Sequence, residues 1–117
     1  MARQTVTAGT APGRYPTDGV EITPTTANTT DKEQTFLTGR EILCAYNKHA
    51  TDAATVTITS VSDPRTGRSG NITADSIPAG RVHVYGPFAV EGWAQTDGYL
   101  YFEASATDII FFVIRIP

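Results

Sequence analysis

The stretch that decides the fold is Asp108-Ile-Ile-Phe-Phe-Val-Ile-Arg-Ile116, near the end of the chain. Successive side chains of a β-strand point to opposite faces, and this run is apolar at both parities, so both of its faces need to be covered. β-Branched and aromatic residues also favour strands. The run is therefore predicted to be a strand that lies either in the centre of a β-sandwich or against another subunit.

Stretches upstream have the same strand-like composition. Ile42–Tyr46 is predicted to be a buried strand, and Ala54–Thr59 alternates apolar residues with threonines, as a strand with one solvent-facing side does. Arg81–Tyr85 also alternates, and the Asp97-Gly98 turn is consistent with a hairpin into Tyr99–Glu103. About seven or eight short strands separated by turns predict an all-β fold, a small β-sandwich or jelly-roll-like domain.

Composition and charge exclude several classes of function. The chain has 117 residues, enough for one domain, and its 19 threonines are typical of a β protein. Its net charge is −3 and its nine basic residues are spread along the whole sequence, so no clustered basic face for nucleic acid is predicted. The N-terminus lacks the apolar segment of a signal peptide, and no stretch approaches the about 20 apolar residues of a membrane span. We expect neither nucleic acid nor membrane as a partner.

Candidate metal and catalytic residues are few. Cys44, His49 and His83 are the only soft or imidazole ligands, and their spacing is not that of a structural zinc site. A single cysteine excludes an internal disulfide framework. The sequence has no Gly-x-Ser-x-Gly elbow and no phosphate-binding glycine loop, and its carboxylates are not paired on one predicted face. We predict no enzyme activity, no metal and no cofactor, with a core thiol and two surface imidazoles.

The N-terminal segment differs from the rest of the chain. Residues 1–18 are rich in proline, glycine and threonine and hold few large apolar side chains, so they have little to fold around. They are predicted to be an extended arm, disordered in the free protein and ordered against neighbouring subunits. Val6, Arg14 and Tyr15 are the candidate anchors of this arm. Residues 19–117 are predicted to form a single β-sandwich domain.

Two further pairs of residues are candidates for partner contact. Tyr99 and Tyr101 are predicted to share an outward face if Leu100 between them points inward. Such a patch suits a protein interface, where tyrosine is enriched, a carbohydrate site, or packing against the second sheet. Arg65 and Arg68 lie in a loop rich in Pro, Gly and Ser, from which they either reach acidic groups of a neighbour or remain solvated.

The order of these segments resembles that of short structural proteins of tailed bacteriophages and prophages, of the head-decoration or cement type. The resemblance spans roughly residues 36–117. Its segments are Thr38–Asn47, Ala54–Pro64, Gly70–Thr73, Ile77–Gly80, Gly86–Phe88, Gly92–Trp93 and the final apolar strand.

This resemblance implies a β-sandwich or β-tulip-like domain that has no catalytic residues and whose terminal arm reaches over neighbouring capsid subunits. It implies subunits of the major capsid protein as partners, and a homo-oligomer, commonly a trimer. The implied location is the capsid exterior of the virion, after synthesis in the cytoplasm of the bacterial host. A neck or tail protein of the virion and a carbohydrate-binding module are the alternatives.

Overall fold

The computed structural model describes residues 3–13, 18–62, 67 and 70–117, and over these ranges the regular structure is nearly all β, as predicted. The single helical turn α1 (Val90–Trp93) is interrupted by non-helical backbone at Glu91 and Gly92. The strands are β1 (Gln4–Thr5), β2 (Ala8–Thr10), β3 (Thr25–Thr26), β4 (Glu33–Phe36), β5 (Glu41–Asn47), β6 (Ala54–Thr59), β7 (Ile72–Ile77), β8 (Val82–Tyr85), β9 (Tyr99–Ala104) and β10 (Ile109–Arg115).

The strands form two mixed sheets of a small sandwich. Sheet I has the order β1-β4-β9-β6-β7, and sheet II has the order β2-β10-β5-β8, with β3 also paired to β10. β1 runs parallel to β4 and β2 runs parallel to β10, whereas the other pairings of the described residues are antiparallel. The closing strand β10 is therefore an inner strand of sheet II, which agrees with the first of its two predicted positions.

The core lies between the sheets and is built from alternate residues of each strand. In β6, Val56 and Ile58 are fully buried, while the threonines that alternate with them face outward. In β10, Phe111 is fully buried and meets Phe102 of β9 edge-on, with ring centroids 4.8 Å apart. This contact joins the two sheets, and it follows from the period-two alternation by which the strands were predicted.

The N-terminal segment belongs to the fold, which corrects the prediction of a separate arm. β1 adds to the edge of sheet I and β2 adds to the edge of sheet II, so the chain crosses from one sheet to the other between them. Val6 lies at this crossing and is 0% exposed, within the core. The expectation that residues 1–18 have nothing to fold around is therefore wrong for residues 3–10, and Val6 is not free to anchor on a partner. The backbone of this segment finds its hydrogen-bond partners at the sheet edges. The Val6 N–H, for example, donates to the carbonyl of Gln34 at 2.9 Å.

Strand β8 forms where it was predicted, whereas the turn before β9 differs from expectation in part. β8 alternates as predicted, but its two valines face solvent and Tyr85 is buried, because the tyrosine reaches across to sheet I. The Asp97-Gly98 turn is present, with Gly98 at φ +86°. β9 nevertheless pairs with β4 and β6 rather than with the preceding strand, so the predicted hairpin is not formed.

Candidate functional site

Sheet II presents an outer face that is apolar on its two inner strands, β10 and β5, and on its edge strand β8. The residues of β5, β8 and β10 that alternate with the core residues point outward, and the register aligns them in cross-strand rows. We call these eight residues the outer apolar face. Its rows are Ile42 with Ile114, Cys44 with Phe112 and Val84, and Tyr46 with Ile110 and Val82.

The exposed end of the outer apolar face is β8. Val82 and Val84 are 48% and 61% exposed, and β8 pairs with β5 and with no other strand in the described part of the chain. Natural sheets commonly protect such an edge with charged side chains or proline on the strand itself. The outward positions of β8 carry valine instead. An apolar surface that continues to an open sheet edge is typical of a protein-binding site.

The outer face of sheet I is of a different kind, with aromatic rings among polar side chains. Leu100 and the following inward residue of β9 are fully buried, so Tyr99 and Tyr101 do share the outward face, as predicted. Phe36 of β4 lies across from Tyr99, with ring centroids 5.5 Å apart in an edge-on arrangement. Thr59 of β6 is the register partner of Tyr101 on the other side. This aromatic face is the second surface that could receive a partner.

The rings of the aromatic face are already engaged by neighbours. The guanidinium of Arg3 lies 4.2 Å from the centroid of the Tyr101 ring, a cation–π contact. The hydroxyl of Tyr101 donates to Asp97 at 2.6 Å. Sugar rings stack on an open ring face, and Arg3 covers one face of Tyr101. The geometry of these contacts therefore suits carbohydrate stacking less well than the shared face of the tyrosines alone would indicate.

A cluster of Asp75, His83 and Tyr85 ties the two sheets together at their open side. Asp75 belongs to β7 of sheet I, and its Oδ2 atom accepts from the Tyr85 hydroxyl at 2.6 Å and lies 2.7 Å from Nδ1 of His83 in β8. The hydrogen bond from Tyr85 lowers the pKa of Asp75. Burial, reinforced by Asp75, raises the pKa of Tyr85, so its hydroxyl stays protonated. A carboxylate beside an imidazole resembles half of a general-base pair. The Tyr85 hydroxyl that Asp75 binds is a poor nucleophile. These contacts link the edge strands β7 and β8 of the two sheets.

Two carboxylates are buried within the fold. Glu41, at the start of β5, accepts hydrogen bonds from Arg115 of β10 and from the hydroxyl of Thr38. Burial alone would raise its pKa, but these hydrogen bonds outweigh it and lower the pKa to about 2. Glu33 of β4 is 0% exposed, and burial raises its pKa to about 7. Glu41 thus closes the end of sheet II as an ion pair, whereas Glu33 is close to half-protonated near neutral pH.

The other predicted residues do not converge. His49 accepts at Nδ1 from the backbone N–H groups of Thr51 and Asp52, and Cys44 is buried, where desolvation raises its pKa. Among the described residues no group of three or more His, Cys, Asp or Glu is placed to hold a metal ion. Arg14, Tyr15, Arg65 and Arg68 lie outside the described residues.

A pocket of about 460 Å³ lies beside α1, and it is lined by Val61, Ser62, Val90, Glu91, Gly92, Ala94, Gln95, Thr96 and Gly98. Glu91 is the one ionisable residue among the described residues that line it. General acid–base chemistry of the paired-carboxylate kind needs two ionisable groups, and the described lining residues supply one.

Known proteins do not supply a function for this chain. No family model, no curated protein and no solved structure matches it. No helix within the described ranges is long and apolar enough to cross a bilayer. The outer apolar face is the most distinct of the surfaces described above.

Proposed function

We propose that this chain is a non-enzymatic structural subunit that binds other protein subunits, and specifically a decoration (cement) protein on the exterior of a bacteriophage head. The outer apolar face of sheet II is the observation that carries the proposal. It places Val82 and Val84 in solvent beside the apolar side chains of two further strands. Burial of such surface contributes about 25 cal/mol per Å² removed from water, so a partner with a matching apolar patch would be stabilised on it.

The open edge of β8 adds directionality to this apolar attraction. An extended segment of a partner could pair with the free side of Val82–Tyr85 while its side chains cover the valines, as in strand addition to a sheet. The hydrogen bonds would set the register and the apolar contacts would supply affinity. The partner we propose is an edge strand or extended loop of the major capsid protein.

The resemblance of residues 36–117 to decoration proteins supports the head of a phage particle as the location. A protein that cements a shell needs a rigid core and a surface that binds repeatedly, and it needs no cofactor. A neck or tail position would use the same surface. The proposal includes a homo-oligomer of this chain, and the resemblance suggests that it is a trimer.

A carbohydrate-binding module is the second candidate, because Tyr99 and Tyr101 share an outward face. The coverage of one Tyr101 ring face by Arg3 weakens this candidate. Affinity electrophoresis in gels that contain neutral polysaccharides distinguishes the two. Retardation of the native protein that Tyr99→Ala abolishes would support the module, and unretarded migration would leave shell binding as the function.

The test of shell binding uses particles produced by the genome that encodes this chain. Densitometry of purified particles should give a copy number comparable to that of the major capsid protein. Particles that lack the protein should bind it again, and Val84→Lys should weaken this binding at least roughly tenfold, or about 1.4 kcal/mol, because it places a charge at the centre of the contact.

The matched control is Ser76→Lys, a change at another exposed strand position on the outer face of sheet I, where Ser76 pairs with Thr55. It should bind particles as the native protein does. Absence of the protein from particles, or equal binding by both lysine variants, would contradict the proposal.

A further inference from the structure

The N-terminal segment occupies a slot that is built entirely from later parts of the chain. Residues 3–10 lie along the edge of sheet I at β4 and then along the edge of sheet II at β10. Val6 fills the space between the two edges and is fully buried. The slot is therefore a bipartite site for one short extended segment with a small apolar residue at its centre.

Within the described ranges, the hydrogen bonds that hold this segment are made with residues distant in sequence. The N–H of Gln4 donates to Lys32 at 2.9 Å, and the hydroxyl of Thr35 donates to the carbonyl of Val6 at 2.9 Å. The guanidinium of Arg3 donates to the carbonyls of Glu33 and Phe102 at 3.0 and 3.2 Å. None of these bonds depends on which copy of the chain supplies the segment, so residues 3–10 of another molecule would satisfy the same groups.

The pairing itself is short, and its linker is long. β1 contributes two residues and β2 contributes three. The next strand begins at Thr25, and the residues between Thr10 and Thr25 could span up to about 50 Å when extended. The longest dimension of the molecule is 43 Å. The linker is therefore long enough for the segment to reach the slot of a molecule that lies alongside.

We propose that residues 3–10 are an exchangeable strand, which docks in the slot of its own chain in the isolated molecule and in the slot of a second copy when copies are held side by side. Exchange conserves the contacts of the closed form, so it costs mainly the entropy of association, which proximity in an assembly reduces. The occupant is a second copy of this chain because the slot fits the segment that already fills it. This inference concerns contacts between copies, and it does not depend on what the outer apolar face binds.

Cysteine trapping between two populations tests the exchange. Thr5 and Gln34 are register partners whose side chains touch, with Nε2 of Gln34 donating to the Thr5 hydroxyl at 3.2 Å. We would prepare Thr5→Cys and Gln34→Cys separately in a Cys44→Ala background, so that each chain has a single thiol. A disulfide between the two variants, in excess of what either variant forms with itself, then reports the segment of one molecule in the slot of another.

After mixing at high protein concentration and mild oxidation, non-reducing electrophoresis should show several-fold more cross-linked dimer in the mixture than in either variant alone. The yield should rise with protein concentration. The double variant Thr5→Cys/Gln34→Cys is the control for geometry, because it should form the disulfide within one chain at low concentration. A mixture that cross-links no more than the separate variants, while the double variant closes fully, would overturn the exchange. That result would leave the shell-binding proposal untouched.

Discussion

At the scale of single residues, the buried carboxyl of Glu33 links the stability of the fold to pH. Its Oε2 atom accepts from the backbone N–H of Asn28 and from Nε2 of Gln4, at 3.3 Å in the second case, and its Oε1 atom has no partner among the described residues. Burial raises its pKa from 4.5 to about 7, against the opposing effects of the Asn28 hydrogen bond and the charge of Arg3, while Glu103 raises it further.

The sign of the pH dependence follows from this shift. The pKa of Glu33 is higher in the folded than in the unfolded chain, so the folded state binds the proton more tightly. Its contribution to stability is present in full below about pH 4.5 and is lost as pH rises through about 7. Between about pH 5 and about pH 8 the free energy of unfolding should fall by about 2 kcal/mol from this residue.

Urea unfolding at a series of pH values measures this effect. Glu33→Gln should flatten the decline, because its amide stays neutral over the whole range. Glu103→Gln, a neighbouring and half-exposed carboxylate, should keep most of it. Parallel curves for the native protein and Glu33→Gln would show that Glu33 is not the titrating group.

At the scale of secondary-structure elements, adjacent residues of β10 lie on opposite faces of sheet II, one in the core and the next on the outer apolar face. Phe111 points inward against Phe102, and Phe112 points outward beside its register partner Cys44. Phe111→Ala should lower the free energy of unfolding by about 3–5 kcal/mol, since it leaves a cavity in the core. Phe112→Ala should lower it by less and, under the proposed function, should weaken binding of the protein to particles. Denaturant unfolding and particle binding of the two variants check this, and equal losses of stability would contradict the assigned faces.

Sequence alternation predicted where the strands are but not how they pair. The both-parity apolar run over residues 109–114 lies in β10, and the threonine alternation at Ala54–Thr59 corresponds to β6. The pairing partners of β9 could not be read from its turn, since β4 and β6, which pair with its two sides, are distant from it in the sequence. Likewise, alternation in β8 does not say which parity is buried. Tyr85 turns inward because Asp75 of the other sheet accepts its hydroxyl, a contact between residues of different sheets that no local pattern reveals.

The candidate site was predictable only in part for the same reason. The shared face of Tyr99 and Tyr101 follows from strand alternation and was confirmed. The outer apolar face combines side chains from three strands, and its rows exist only once β8, β5 and β10 are in register. Its strongest sequence signal was the second apolar parity of the closing strand.

At the scale of the whole molecule, the N-terminal segment is the part that the composition misjudged. A stretch with few apolar residues has little to fold around alone, but it needs little when two sheet edges offer backbone hydrogen bonds. β1 covers the edge of β4, and β2 covers the edge of β10. Residues 3–10 therefore complete the edges of both sheets, and Val6 is part of the core between them.

Removal of this segment should accordingly destabilise the entire domain. Val6→Ala should lower the free energy of unfolding by about 1.5–3 kcal/mol, the value of one buried aliphatic side chain, whereas Val20→Ala, at a valine that is 46% exposed, should leave it nearly unchanged. Deletion of residues 2–10 should lower the melting temperature further than Val6→Ala does, because it uncovers the edges of β4 and β10 as well as the core. The deleted protein should also self-associate through those edges, which sedimentation velocity over a concentration series would detect. A deletion variant that melts with the native protein and stays monomeric would restore the N-terminus as an independent arm, and it would leave the burial of Val6 without energetic consequence.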